Sequence, residues 1–123
     1  MKIIGKNPIT GLDYPDPDVI RVDDTYYMVS TTMHFVPGCE ILRSYDLVHW
    51  EHLSYVYERL DSTEEQRLVG EKNCYGKGMW AASLRYHKGM YYICFVANDT
   101  GKTYLYTAVS YTHLRAHETE LHL

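Results

Sequence analysis

Asp16 is the residue best placed to do chemistry. It stands in the run Asp13-Tyr14-Pro15-Asp16-Pro17-Asp18-Val19-Ile20-Arg21-Val22. Three carboxylates and two prolines precede an apolar strand pattern. Proline fixes φ and has no N–H, so it holds the chain extended at a strand entrance but cannot sit inside a central ladder. A carboxylate flanked by two prolines is therefore carried on a stiffened backbone and aimed. Such a group can serve as a general base toward water. The same residues also suit a plain acidic turn, and the run by itself leaves both readings open.

The elements that would position Asp16 are short strands. Residues 19–22 read as a strand, Asp23-Asp24 as a turn, and 25–32 as a second strand rich in Tyr and β-branched residues. Pro37-Gly38 marks another turn. Residues 39–44 and 50–57 read as a third and a fourth strand, joined across 45–49. The rhythm breaks over 57–78, where the charged stretch 58–67 is compatible with a helical turn and 73–78 with a Gly-containing loop. A connection this long inside a compact domain is usually functional or disordered. The pattern then restarts, with strands over 80–86, 90–97 and 103–109 and turns at 87–89 and 98–102. The 13 tyrosines suit half-buried pleated sheet.

The two halves align. Ile20-Arg21-Val22 and Thr25-Tyr26-Tyr27-Met28 match Leu84-Arg85-Tyr86 and Met90-Tyr91-Tyr92-Ile93. A repeated four-stranded meander is the signature of propeller blades. The alignment sets Asp16 opposite Trp80 and Pro17 opposite Ala81, at the starts of the two innermost strands. A fixed carboxylate and an indole face at one mouth would suit a sugar, whose apolar C–H face packs on aromatic rings. For Trp80 the plainer reading is packing between blades.

Bulk properties narrow the partners. At 123 residues and net charge −4, this is at most one domain, and nucleic acid and anionic membranes are not expected partners. No segment approaches the roughly 20 apolar residues of a membrane span. Residues 1–8 show no apolar signal-peptide core, and Cys39, Cys74 and Cys94 lack CxxC spacing. Together these point to reduced thiols and a cytoplasmic location. The sequence carries no signal of oligomeric state.

Several separated motifs resemble glycoside hydrolase family 43. They are Tyr14-Pro15-Asp16-Pro17 with Arg21–Met28, the run Met33-His34-Phe35-Val36-Pro37-Gly38, Arg43–Trp50, and Gly78-Met79-Trp80-Ala81-Ala82-Ser83-Leu84-Arg85-Tyr86. The resemblance runs from about residue 7 to about 108. It implies an all-β fold, the first two blades of an incomplete five-bladed β-propeller (about 16–57 and 79–108), and a β-xylosidase or α-L-arabinofuranosidase that inverts at the anomeric carbon. It makes Asp16 the general base and gives Trp80, Ala81, Phe35 and Met33 substrate contacts, with an oligosaccharide as partner. Met33 replaces a Phe common in xylosidases and lacks a flat stacking face. Ser44–Trp50 would be a structural turn and anchor. The acid and a second Asp that tunes it would lie on later blades, so the chain by itself is expected to be inactive. The alternative is a non-catalytic carbohydrate-binding propeller piece. No cofactor is expected; a central calcium ion, known in some relatives, would draw its ligands from later blades.

Residues 109–123 leave the pattern, resemble translated sequencing-adapter DNA, and are expected to be a non-native tail. His113 and His117, at i and i+4, could share a helix face, but no third ligand follows at suitable spacing, so no metal site is expected. Gly101-Lys102-Thr103 mimics the end of a phosphate loop without its first Gly, since position 96 is Val, and reads as a β-turn. His34 reads as a hydrogen-bonded wall residue.

Overall fold

A computed structural model describes residues 5–33, 37–58, 60, 69–71 and 77–109, and the backbone of 119–122. It is all-β. β1 (Asp18–Val22), β2 (Thr25–Ser30), β3 (Gly38–Ser44) and β4 (Glu51–Tyr57) form one four-stranded sheet. β5 (Met79–His87), β6 (Met90–Ala97), β7 (Lys102–Ala108) and β8 (Thr119–His122) form a second. Both are antiparallel meanders in sequence order. β8 occupies the fourth-strand position and pairs with β7, within the segment that departs from the repeat pattern. The helical turn compatible with 58–67 falls almost wholly outside the described residues, as do His34, Cys74, His113 and His117.

The sheets pack face to face, and each strand's alternation dictates which side is buried. Tyr91, Ile93, Phe95 and Ala97 of β6 meet Val29, Cys39 and Ile41 of the first sheet in one apolar cluster. Tyr57 stacks on Phe95 with ring centroids 5.6 Å apart. Tyr27 meets Tyr91 edge to face at 5.5 Å. Much of the tyrosine content thus works as core: Tyr104 is fully buried and Tyr106 nearly so. Gly38 is obligatory here, because a β-carbon would overlap the Tyr57 ring. Of the cysteines, Cys39 is buried and Cys94 partly so, and both are free thiols. Burial pushes the Cys39 thiol far up, which makes it a packing residue rather than a nucleophile.

The hairpin turns refine the internal repeat. Val22 pairs with Thr25 and His87 with Met90, so each turn has two residues and His87 belongs to its strand. Equivalent residues then lie a constant 65 positions apart, as Asp23 and Lys88 do. Both have positive φ, 55° and 49°. The expected pairing of Asp16 with Trp80 is thereby corrected by one residue: Asp16 corresponds to Ala81 and Pro15 to Trp80. The matching arginines misled because they are not equivalent. Arg21 donates to the Asp23 carbonyl, whereas Arg85 reaches across to Asp18. At the other turn, the Gly101 N–H donates to the Ala97 carbonyl and Gly101 has φ +67°, a hairpin turn with no phosphate-loop geometry.

Ser44–Trp50 is a turn wound about one carboxylate. Asp46 Oδ1 accepts the backbone N–H groups of Val48 and His49, and Oδ2 pairs with His49 Nδ1 at 2.7 Å. Trp50 Nε1 donates to the Leu47 carbonyl. The His49 contact, followed by the backbone donors, holds the Asp46 carboxyl well below the usual range. A depressed folded-state value stabilises the fold above the ordinary Asp range, near pH 4, and that contribution fades as pH falls further. In denaturant titrations of the chain, wild type should lose stability more steeply than Asp46→Asn as pH drops below about 4. Parallel pH profiles for the two would contradict this role.

Candidate functional site

The site grows from two matching bulges. The Pro15 carbonyl accepts the Thr31 N–H at 3.1 Å, while Asp18 already pairs with Val29. Asp16 and Pro17 therefore share one position opposite Ser30. In the second sheet Trp80 pairs with Val96 and Ser83 with Cys94, leaving Ala81 and Ala82 together opposite Phe95. Each bulge holds a left-handed residue, Asp16 at φ 48° and Ala81 at φ 45°. Left-handed backbone costs a non-glycine residue roughly 1–2 kcal/mol. A bulge breaks the side-chain alternation of a strand and re-aims the residue it carries. Pro17, which has no N–H to offer a ladder, is tolerated at such a bulge.

One side chain ties the two bulges together. Thr31 Oγ1 accepts the Ala81 N–H at 2.8 Å and donates to Asp16 Oδ2 at 3.4 Å. Ser30 Oγ donates to the Pro15 carbonyl at 2.9 Å and braces the same segment. Further along, the Gly78 N–H donates to the Met33 carbonyl at 3.0 Å and the Thr32 N–H to Met79 Sδ at 3.2 Å. Asp18 makes a second crossing: its Oδ2 accepts the Leu84 N–H at 2.8 Å and Arg85 Nη1 at 3.0 Å. β5 is an edge strand, so these first-sheet acceptors satisfy N–H groups that its own sheet leaves open.

Of the residues singled out from sequence, Asp16 and Ala81 are joined through Thr31, and Met33 is pinned to Gly78. Asp16 is exposed and Trp80 half-buried. The Trp80 indole N–H is buried and has no hydrogen-bond partner among the described residues. Phe35 lies outside the described residues. Met33 also lines a cleft of about 370 Å³ with Tyr14, Pro15, Thr31 and Tyr55. Neither Asp16 nor Trp80 lines it. It opens beside Glu40, on the side of β3 opposite the core residues Cys39 and Ile41. Burial, then the Glu40 charge, raises the Tyr14 phenol, a neutral wall residue of the cleft. Among the described residues no cluster of His, Cys, Asp and Glu could hold a metal ion.

Sequence reasoning missed Thr31, Asp18 and Gly78 as site supports. The available signal for Thr31 was a run of three hydroxyl residues, Ser30-Thr31-Thr32, closing an apolar strand. For Asp18 there was none beyond its neighbours in the acidic motif.

Two packed antiparallel meanders hold the Asp16 segment and the Trp80-Ala81 segment together through Thr31, and solved structures share this fold. A bifunctional GH43-CE protein from Bacteroides eggerthii superposes with a TM-score of 0.89 at 45% identity, over 95% of this chain and 16% of that one. The chain belongs to glycosyl hydrolases family 43, whose family model matches residues 5–116. A β-xylosidase from Formosa agariphila is 42% identical over 86 residues, 70% of this chain and 14% of that protein. A non-reducing end α-L-arabinofuranosidase from Bacteroides ovatus is 39% identical over 89 residues, 72% of this chain and 16% of its own length. The chain thus spans about a sixth or less of these relatives.

Two substitutions probe the mouth. Ala81→Gly relieves a left-handed residue, at the cost of a more flexible unfolded chain. It should leave stability unchanged or raise it by up to ~1 kcal/mol. Gly78→Ala would set a β-carbon 2.9 Å from the Met33 carbonyl oxygen, and backbone cannot yield cheaply; a loss of ~1–3 kcal/mol is expected. Urea unfolding of each variant checks this, and the reverse order of stabilities would refute the bulge assignment.

Proposed function

We propose that this chain is the N-terminal part, the first two of five blades, of a family 43 glycosidase. The intact protein hydrolyses O-glycosyl bonds of saccharides derived from xylan or arabinan, as a β-xylosidase or α-L-arabinofuranosidase. The observation that carries this reading is the link Asp16–Thr31–Ala81, which sets a proline-flanked carboxylate beside the Trp80-Ala81 strand. Family membership and the named relatives support it.

In this reading Asp16 takes a proton from water, which attacks the anomeric carbon on the face opposite the leaving group. A protonated carboxyl from a later blade gives its proton to the leaving oxygen, and the configuration inverts. Such pairs stand about 6.5–9.5 Å apart to admit the water. Trp80 and Ala81 contact the sugar, and Met33 and Phe35 contribute apolar contacts to it. Asp18 is engaged by Leu84 and Arg85, so it is not the acid.

Asp16→Asn in the full-length protein should lower kcat about 10²–10⁴-fold while sugar binding persists. Asn tolerates positive φ as well as Asp does, so the loss reports chemistry rather than folding. Unchanged turnover would refute the assignment. The purified 123-residue chain by itself should not hydrolyse an aryl β-xyloside or an aryl α-L-arabinofuranoside. Turnover by it would place the acid within these residues.

A further inference from the structure

We infer that Thr31 is a positioning residue that aims the Asp16 carboxylate at the sugar-contacting strand. This rests on the reading of Asp16 as the base. The geometry is specific. Thr31 is nearly buried, with 5% of its surface exposed, and its backbone N–H is fixed to Pro15. A hydroxyl has one proton to donate and two lone pairs to accept with. The Ala81 N–H occupies one acceptor site at 2.8 Å. The hydroxyl proton is thereby free to face Asp16 Oδ2, 3.4 Å away. That distance is long for an O–H···O bond, as hydrogen bonds of unliganded sites often are before substrate tightens them.

Threonine suits the task better than other hydroxyl residues. Its branched Cβ stiffens χ1, so the hydroxyl direction is set by backbone that Pro15 holds. The chain N–H to O–H to carboxylate runs in one sense, and each bond polarises the next. Its first bond crosses 50 residues of sequence, from Ala81 to Thr31, and the whole joins the left-handed residue of one bulge to its counterpart in the other. If the second sheet shifts, the carboxylate shifts with it, so the base stays in register with Trp80 and Ala81.

The test is kinetic, in the full-length protein. Thr31→Val should cut kcat about 10–100-fold, in the range that small misplacements of catalytic groups produce, with KM changed less than about threefold. Thr31→Ser should restore kcat to within about threefold of wild type, because the hydroxyl returns. In an Asp16→Asn background, Thr31→Val should change the residual rate less than about twofold, since a residue that acts through another loses its effect when the other is gone. Should Thr31→Val not fold, Thr31→Cys replaces it: its thiol donates weakly at the same place and should also lower kcat. Wild-type kcat in Thr31→Val or Thr31→Cys, no rescue by Ser, or an equal loss in the Asp16→Asn background would each overturn the inference. Full turnover by Asp16→Asn alone would instead overturn the assignment of the base.

Discussion

The open edge of β5 is the constraint on which the rest of the structure depends. Among the described residues β5 pairs only with β6, so N–H groups on its other edge need acceptors from elsewhere. Two find them in the first sheet, Ala81 on Thr31 and Leu84 on Asp18. Burial of an apolar cluster that includes Tyr91, Ile93, Phe95, Val29 and Ile41 drives the stacking of the sheets, but it is non-directional. The polar crossings decide how one sheet sits on the other, because an unmet buried N–H costs as much as a lost hydrogen bond. Satisfying the edge and building the site are the same event, since both acceptors belong to the strand entrance and strand end around Asp16.

The two sheets use one local device for different ends. The first strand of each sheet opens with a bulge that holds a left-handed residue. In the first sheet that residue carries a carboxylate, and in the second it carries only a methyl group, which leaves its N–H accessible to Thr31. Trp80 stands where the first sheet has Pro15, whose carbonyl is taken by Ser30 and Thr31. The repeat therefore supplies a scaffold whose equivalent positions have diverged, with a proline-flanked carboxylate on one side and an alanine next to a tryptophan on the other.

Much of the architecture was legible because strands and tight turns are local. β6 spans Met90–Ala97, as its alternating Tyr, Ile, Phe and Ala predict. β1, β3 and β4 begin within one residue of their expected starts. The Ser44–Trp50 turn was readable too, since Asp46 and Ser44 bond to backbone only two or three residues away. Asp16 stood out because two prolines and a strand pattern flank it. The equivalence of the halves was only roughly legible: two arginines and two Tyr-Tyr pairs matched, yet they cannot report that both hairpin turns have two residues.

The sequence by itself determined the strands, the turns and the stiffened carboxylate, because proline geometry, side-chain alternation and short-range hydrogen bonds act within a few residues. Only the tertiary structure decided that Asp16 answers to Ala81 rather than Trp80, that Thr31 joins them, and that Asp18 is consumed by Leu84 and Arg85. Those outcomes depend on which N–H groups a free strand edge leaves open and which side chains a second sheet brings to them from 50 or more residues away, and no local pattern encodes that meeting.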